Sequence, residues 1–256
     1  MKLKLLLFSV LAILLCSPPG WAYSVPFGDT REHWPGWGNG SSDDDYDTIG
    51  TPNFTGGTAE IQGGYLTALT FNQDSSSSAY SVVSPGDLFI DTNADATWDY
   101  IVDLTNSMTW TTPGKNNTDP GEHYYNIFSV SLALDSSTGY ILSGKDKDSN
   151  WYPYYIRDDH PVAWNPVGDL VVVGTAYFSG WPSDPKTSST FGFGSYPIPL
   201  GDSFIIGWAA NCANDVIYEK VPVPESATVL LLGAGLIFVA GFSRKKVFRK
   251  ESASLH

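Results

Sequence analysis

Residues 125–134 read YNIFSVSLAL, in which Phe128, Val130, Leu132 and Leu134 alternate with Ile127, Ser129 and Ser131. A period of two places one set of side chains on each face of a strand, so this run predicts a half-buried β-strand and not a helix. Residues 170–181 (LVVVGTAYFSGW) are β-branched and aromatic, with Gly174 marking a bulge or bend. Residues 203–209 and 215–221 predict a late strand pair joined through 211–214, and 98–104 reads as a further strand. Between residues 23 and 221 no long stretch of Ala, Leu, Glu and Lys interrupts this pattern.

A small device recurs in front of apolar runs. Pro85-Gly86-Asp87 precedes Leu88-Phe89-Ile90, Pro166-Val167-Gly168-Asp169 precedes Leu170-Val171-Val172, and Pro199-Leu200-Gly201-Asp202 precedes Ser203-Phe204-Ile205. Proline fixes φ and glycine accepts a positive φ, so each is a turn that feeds a strand. The unequal spacing excludes a true sequence repeat. Many short strands behind such turns predict an all-β fold, an antiparallel β-sandwich or jelly roll. Residues 28–58 and 111–122 are polar and rich in Gly and Pro, and read as long loops.

Both ends read as addresses and not as fold. Residues 1–22 carry Lys2 and Lys4, an apolar run over 5–15 interrupted only by Ser9, then Pro18-Pro19-Gly20 and small residues at Gly20 and Ala22. That is the layout of a secretory signal peptide cut after Ala22; an uncleaved anchor competes, but the run falls short of the ~20 apolar residues a span needs. Leu14-Leu15 in front of Cys16 do not suit a lipidation site. At the other end, residues 227–242 are apolar, and Arg244, Lys245, Lys246, Arg249 and Lys250 follow. This is a short stop-transfer segment with its basic cluster on the cytoplasmic side, which puts the body outside the inner membrane.

The tail resembles the PEP-CTERM sorting signal of exosortase-dependent bacterial proteins. Pro224 and Glu225 match the motif, 227–242 the apolar helix and 244–250 the basic end; Ser226 stands where the pattern has a second proline. The resemblance covers roughly the last 35 residues. It implies sorting by a membrane exosortase, an inner-membrane precursor, and a cell-surface or extracellular product associated with exopolysaccharide and biofilm. It implies no activity. A plain single-pass anchor and a GPI signal are the competing readings, though GPI tails normally lack a terminal basic cluster. In the bacterial reading the sequons at Asn39, Asn53 and Asn116 are accidental. The expected organisation is a signal peptide (1–22), a β-sandwich domain (23–221) and a sorting segment with a short transmembrane helix (222–250).

Residues 23–224 hold seven basic and 25 acidic side chains, a formal charge of −18. Such a body repels nucleic acid and anionic headgroups and suits cations or neutral glycans. Only Cys212 remains after removal of the signal, so there is no disulfide framework.

The leading site is Asp91, Asn93, Asp95, Thr97 and Asp99, oxygen side chains at alternate positions that can wrap calcium as EF-hand-type loops do. Ala96 stands where such loops place glycine, and Val102 where they place the closing carboxylate. An Asx-rich hairpin turn is the competing reading. The stretch 86–104 also resembles segments of other PEP-CTERM surface proteins. Residues 41–47 and 146–148 read as solvated acidic loops, and Asp158-Asp159-His160 as a weaker metal candidate. Trp34, Trp37 and residues 151–155 (WYPYY) are candidate sugar platforms, or else core aromatics. No G-x-S-x-G, H-E-x-x-H or P-loop motif occurs. The function expected is therefore a non-catalytic surface or matrix protein; the alternative is a secreted carbohydrate-binding protein or carbohydrate-active enzyme using surface aromatics and paired carboxylates.

Overall fold

The computed structural model describes residues 22–30, 53–73, 85–104, 123–133, 141–143, 161–164, 170–181, 188–210, 215–224 and 235. Thirteen strands follow in chain order: β1 (Ala22–Phe27), β2 (Phe54–Gln62), β3 (Tyr65–Gln73), β4 (Leu88–Asp91), β5 (Thr97–Val102), β6 (His123–Ala133), β7 (Ile141–Ser143), β8 (Pro161–Trp164), β9 (Val171–Ser179), β10 (Ser188–Gly192), β11 (Ile198–Pro199), β12 (Ser203–Ala209) and β13 (Val216–Pro222). Eleven of them form one sheet in the order β1-β2-β3-β10-β9-β6-β5-β4-β12-β13, with β11 on β3. Every pairing is antiparallel. The edge strands β1 and β13 lie against each other. The expected all-β antiparallel class is thus what the chain adopts, as a nearly closed, barrel-like sheet.

The strands expected at 125–134, 170–181, 203–209, 215–221 and 98–104 correspond to β6, β9, β12, β13 and β5. At Gly174 the β6–β9 register shifts. A side chain there would collide with Tyr196, so only glycine lets that ring settle on the strand. The expected loop over 28–58 needs correction, because β2 starts at Phe54. Its opening residues, FTGG, lack strand formers, but Gly56 takes a φ of 92° and carries a bulge against β3. The signal and sorting helices and the loop over 111–122 lie outside the described residues. Among the described residues, no helix is long and apolar enough to cross a membrane.

The sheet buries apolar surface on both faces, unequally. Inside the curl, Trp208 is the hub. Its ring meets Phe71 at 4.5 Å, Phe54 at 4.9 Å, Phe191 at 5.3 Å and Trp181 at 5.7 Å. Tilted and edge-on aromatic pairs of this kind add ~0.5–1.5 kcal/mol each beyond the area they bury. Trp208 Nε1 donates to Gly86 O at 3.1 Å, so the one polar atom of the ring is not orphaned. Outside the curl, Phe89, Trp98, Ile101, Phe128, Ile205 and Tyr218 form a second cluster with Trp164 of β8. Among the described residues it lies on the β4, β5, β12 and β13 side of the sheet and the margin of β6.

Candidate functional site

Asp91 closes β4, residues 92–96 bend, and Thr97 and Asp99 belong to β5, so the five predicted ligand residues do lie on one hairpin connection. Asp91 is fully buried. Its carboxylate organises the loop from below. Oδ1 accepts the backbone N–H of Asn93 (3.2 Å) and Asp95 (3.3 Å), and Oδ2 accepts that of Ala96 (2.9 Å). Asp99 Oδ2 accepts the N–H and the hydroxyl of Thr92, at 2.8 and 2.6 Å. Asn93 Oδ1 accepts from Asp95 N (3.1 Å), Asn93 Nδ2 donates to Asp95 Oδ2 (3.0 Å), and Asp95 Oδ1 accepts from Thr97 N (3.0 Å).

Two alanines follow the backbone this network dictates. Ala94 has a φ of 58° and Ala96 a φ of 71°, both left-handed. A Cβ in that region costs ~1–2 kcal/mol per residue, which is why the sixth position of calcium loops is normally glycine. Ala96 thus holds, without glycine, the left-handed conformation usual at that position. The side chains themselves are turned to backbone amides. Among the described residues, no three His, Cys, Asp or Glu side chains stand together as a metal-holding group.

The loop is tied to the rest of the sheet on one side. Thr92 O accepts from Gly201 N (2.8 Å), and Asp202 O accepts from Val223 N (2.9 Å). The turn before β12 thus links the loop to the residues where the chain leaves β13. Below the loop, burial raises the Tyr100 hydroxyl well above the usual tyrosine range. The nearby Tyr196 hydroxyl and the Asp99 charge push it the same way.

Three further carboxylates prove structurally important. Asp87 is fully buried, and its two oxygens accept the backbone N–H of Leu104 (2.8 Å) and of Trp164 (2.7 Å). It fastens the end of β5 and the β8 segment to the start of β4. Asp215 accepts the backbone N–H of Phe54, and Glu219 accepts the N–H and hydroxyl of Thr30, both at 2.6 Å. These last two bind the β13 side of the sheet to the β1 and β2 side. Sequence signalled only Asp87, through the Pro-Gly-Asp device; its counterpart Asp202 is exposed. Trp34, Trp37, residues 41–47, 146–148, 151–155 and 158–160, and Cys212 lie outside the described residues. Comparison of the chain with protein-family models, with curated proteins and with solved structures returns no significant match.

Proposed function

We propose that this chain is an exported, exosortase-sorted surface or extracellular-matrix protein, associated with exopolysaccharide, non-catalytic, and stiffened by calcium at the 91–99 loop. One observation carries the reading. All the described strands lie between Ala22 and Pro222, so both expected addressing segments can leave without taking more than the exposed first residue of the sheet. A precursor held in the inner membrane by 227–242 would then release a complete β-domain. The nearly closed sheet works as a flattened sandwich of its two halves on this reading. A body with a charge of −18 stays soluble among neutral glycans and rejects nucleic acid.

Calcium fits the loop by donor chemistry, since every ligand offered is oxygen. Asp91 and Asp99 each keep lone pairs beyond the amides they accept, a carboxylate having about four acceptor sites. Asn93, Asp95 and Thr97 would supply the remaining oxygens. The ion would relieve repulsion among three carboxylates on one short loop.

Intact mass of the protein recovered from the cell surface and medium tests the sorting. The expected species begins at Tyr23 and has lost 227–250. A mature species still carrying that segment would leave a plain membrane anchor in place of the sorting signal.

A further inference from the structure

Among the described residues, the two halves of the sheet's outer face differ in kind: one carries the apolar outer cluster, the other a polar row that is partly exposed. On the side of β4, β5, β12 and β13 Phe89, Trp98, Ile101, Ile205 and Tyr218 face outward and lie in the cluster with Trp164, while Lys220, beside Ile205, is exposed. On the side of β1, β2, β3, β10 and β9 the register lines up residues of a different kind. Thr58 stands beside Thr70, Thr70 beside Thr190, and Thr190 beside Ser179. The Thr70 and Thr190 hydroxyls are 3.1 Å apart. The next row runs Glu60, Ala68, Gly192, Tyr177, Tyr124. Strands spaced ~4.8 Å apart make that row about 19 Å long, enough for several sugar rings.

The row ends in an aromatic pair. Tyr124 is 71% exposed, the most exposed large hydrophobic among the described residues, and its ring centroid lies 5.6 Å from that of Tyr177, tilted by 59°. Tyr177 lies beside Gly192, where a side chain would touch its ring, so the glycine leaves the ring open from that side. Asn126 and Thr175 continue the same face one register step on.

We infer that this polar face binds a neutral polysaccharide, with Tyr124 and Tyr177 as the stacking platform and the threonine row as hydrogen-bonding partners. A pyranose offers C–H faces to an aromatic ring and hydroxyls around its edge, which is what an aromatic pair flanked by hydroxyls and an amide recognises. Charge selects among glycans. Glu60 is the only ionisable side chain other than tyrosine in the two rows, and the domain around it carries a charge of −18, so acidic polymers are repelled. The tilt between the rings suits a twisted, solvated chain better than a flat crystalline surface. The inference deepens the matrix reading by naming the class of glycan and the site, but it needs neither the sorting signal nor calcium.

Affinity electrophoresis of the full chain in mild detergent, with a calcium chelator present, tests it independently of both. The probes are dextran, mixed-linkage β-glucan and galactomannan, with alginate as the acidic control. At least one neutral polymer should retard the wild type, and alginate should not. The Tyr124→Ala/Tyr177→Ala variant should lose about tenfold or more in affinity, while Tyr124→Phe keeps it. Melting curves of the variants check that the fold survives, because an exposed cross-strand pair contributes only ~0.2–1 kcal/mol. Retardation by none of the neutral polymers, or equal retardation of the double variant, would overturn the assignment. So would retention of alginate in place of the neutral polymers.

Discussion

Replacing Asp87 by alanine removes the acceptor of two buried backbone N–H groups at once. A hydrogen bond to a charged acceptor contributes ~1.5–3 kcal/mol, and a buried donor left alone costs ~1–3 kcal/mol. Release of the buried carboxylate from its desolvation offsets part of this, so the expected loss is about 3–4 kcal/mol. At ~2–4 °C per kcal/mol for a domain of this size, melting should fall by roughly 6–16 °C. The loss should be local before it is global. Trp164 is held by that carboxylate and caps the outer cluster, so its emission should shift toward that of a solvated indole at denaturant concentrations where the inner core still stands. Asp202 occupies the same place in the same sequence device but is exposed, and Asp202→Ala should change stability by less than about 0.5 kcal/mol. Denaturant unfolding of the two variants beside wild type decides the matter. Equal losses for Asp87→Ala and Asp202→Ala would refute the view that burial, and not the turn itself, makes this aspartate structural.

Calcium at millimolar concentration should raise the melting temperature of the wild type; the underlying stabilisation reaches ~2.7 kcal/mol at a hundredfold excess over Kd. Asp95→Ala should abolish that rise in the same melts, whereas Ala96→Gly should add about 1 kcal/mol without calcium by relieving its left-handed backbone. Alkaline unfolding reports on the core. Burial pushes the Tyr125 hydroxyl up to about 12, so the folded state holds its proton where the unfolded chain, near 10, has released it. That stability is present below about pH 10 and drains away as pH rises through the folded value, with Tyr100 contributing in the same direction. Denaturant midpoints measured across that window, together with tyrosinate absorbance, should fall together; a flat midpoint would count against buried, protonated tyrosines.

Local pattern exposed those parts of the fold whose physics is local. The alternation in 125–134 and the β-branched run at 170–181 became β6 and β9, because a period of two leaves a strand no other face to bury. The Asp91–Asp99 stretch lies at a hairpin connection, and the left-handed backbone of Ala96 was not legible because alanine gives no sign of it. Long-range facts were not legible. Asp215 and Glu219 sit in ordinary strand sequence, and their partners Phe54 and Thr30 are 161 and 189 residues away. β2 was hidden because its register depends on glycines, which carry no hydrophobic signal. Tyr177 lay inside the run read as a strand and Tyr124 one residue ahead of the run at 125–134, yet only the pairing of β6 with β9 makes them neighbours.

The contrast between continuous and alternating strands explains which half of the sheet carries the outer apolar cluster. Strands buried on both faces read as unbroken apolar runs, and those buried on one face alternate. β4 (LFID) and β12 (SFIIGWA) are of the first kind: Leu88 and Ile90 face the inner core while Phe89 faces the outer cluster, and Phe204 and Ile206 face inward while Ile205 faces out. β10 (SSTFG) is of the second kind, with Phe191 inward and Thr190 on the opposite face. Part of the outer cover is supplied by Trp164, and Asp87 at the threshold of β4 fastens it. The acid in the Pro-Gly-Asp device is therefore buried where a second layer must be tied down. At Pro199-Leu200-Gly201-Asp202 it is exposed, at the turn that joins the 91–99 loop to the residues following β13. The threonine side of the sheet differs from the clustered side in the same way. Its outward positions carry hydroxyls, Glu60, Ala68, Gly192 and tyrosine where the outer cluster of the other half uses Phe, Trp and Ile, so the difference between the halves is encoded strand by strand.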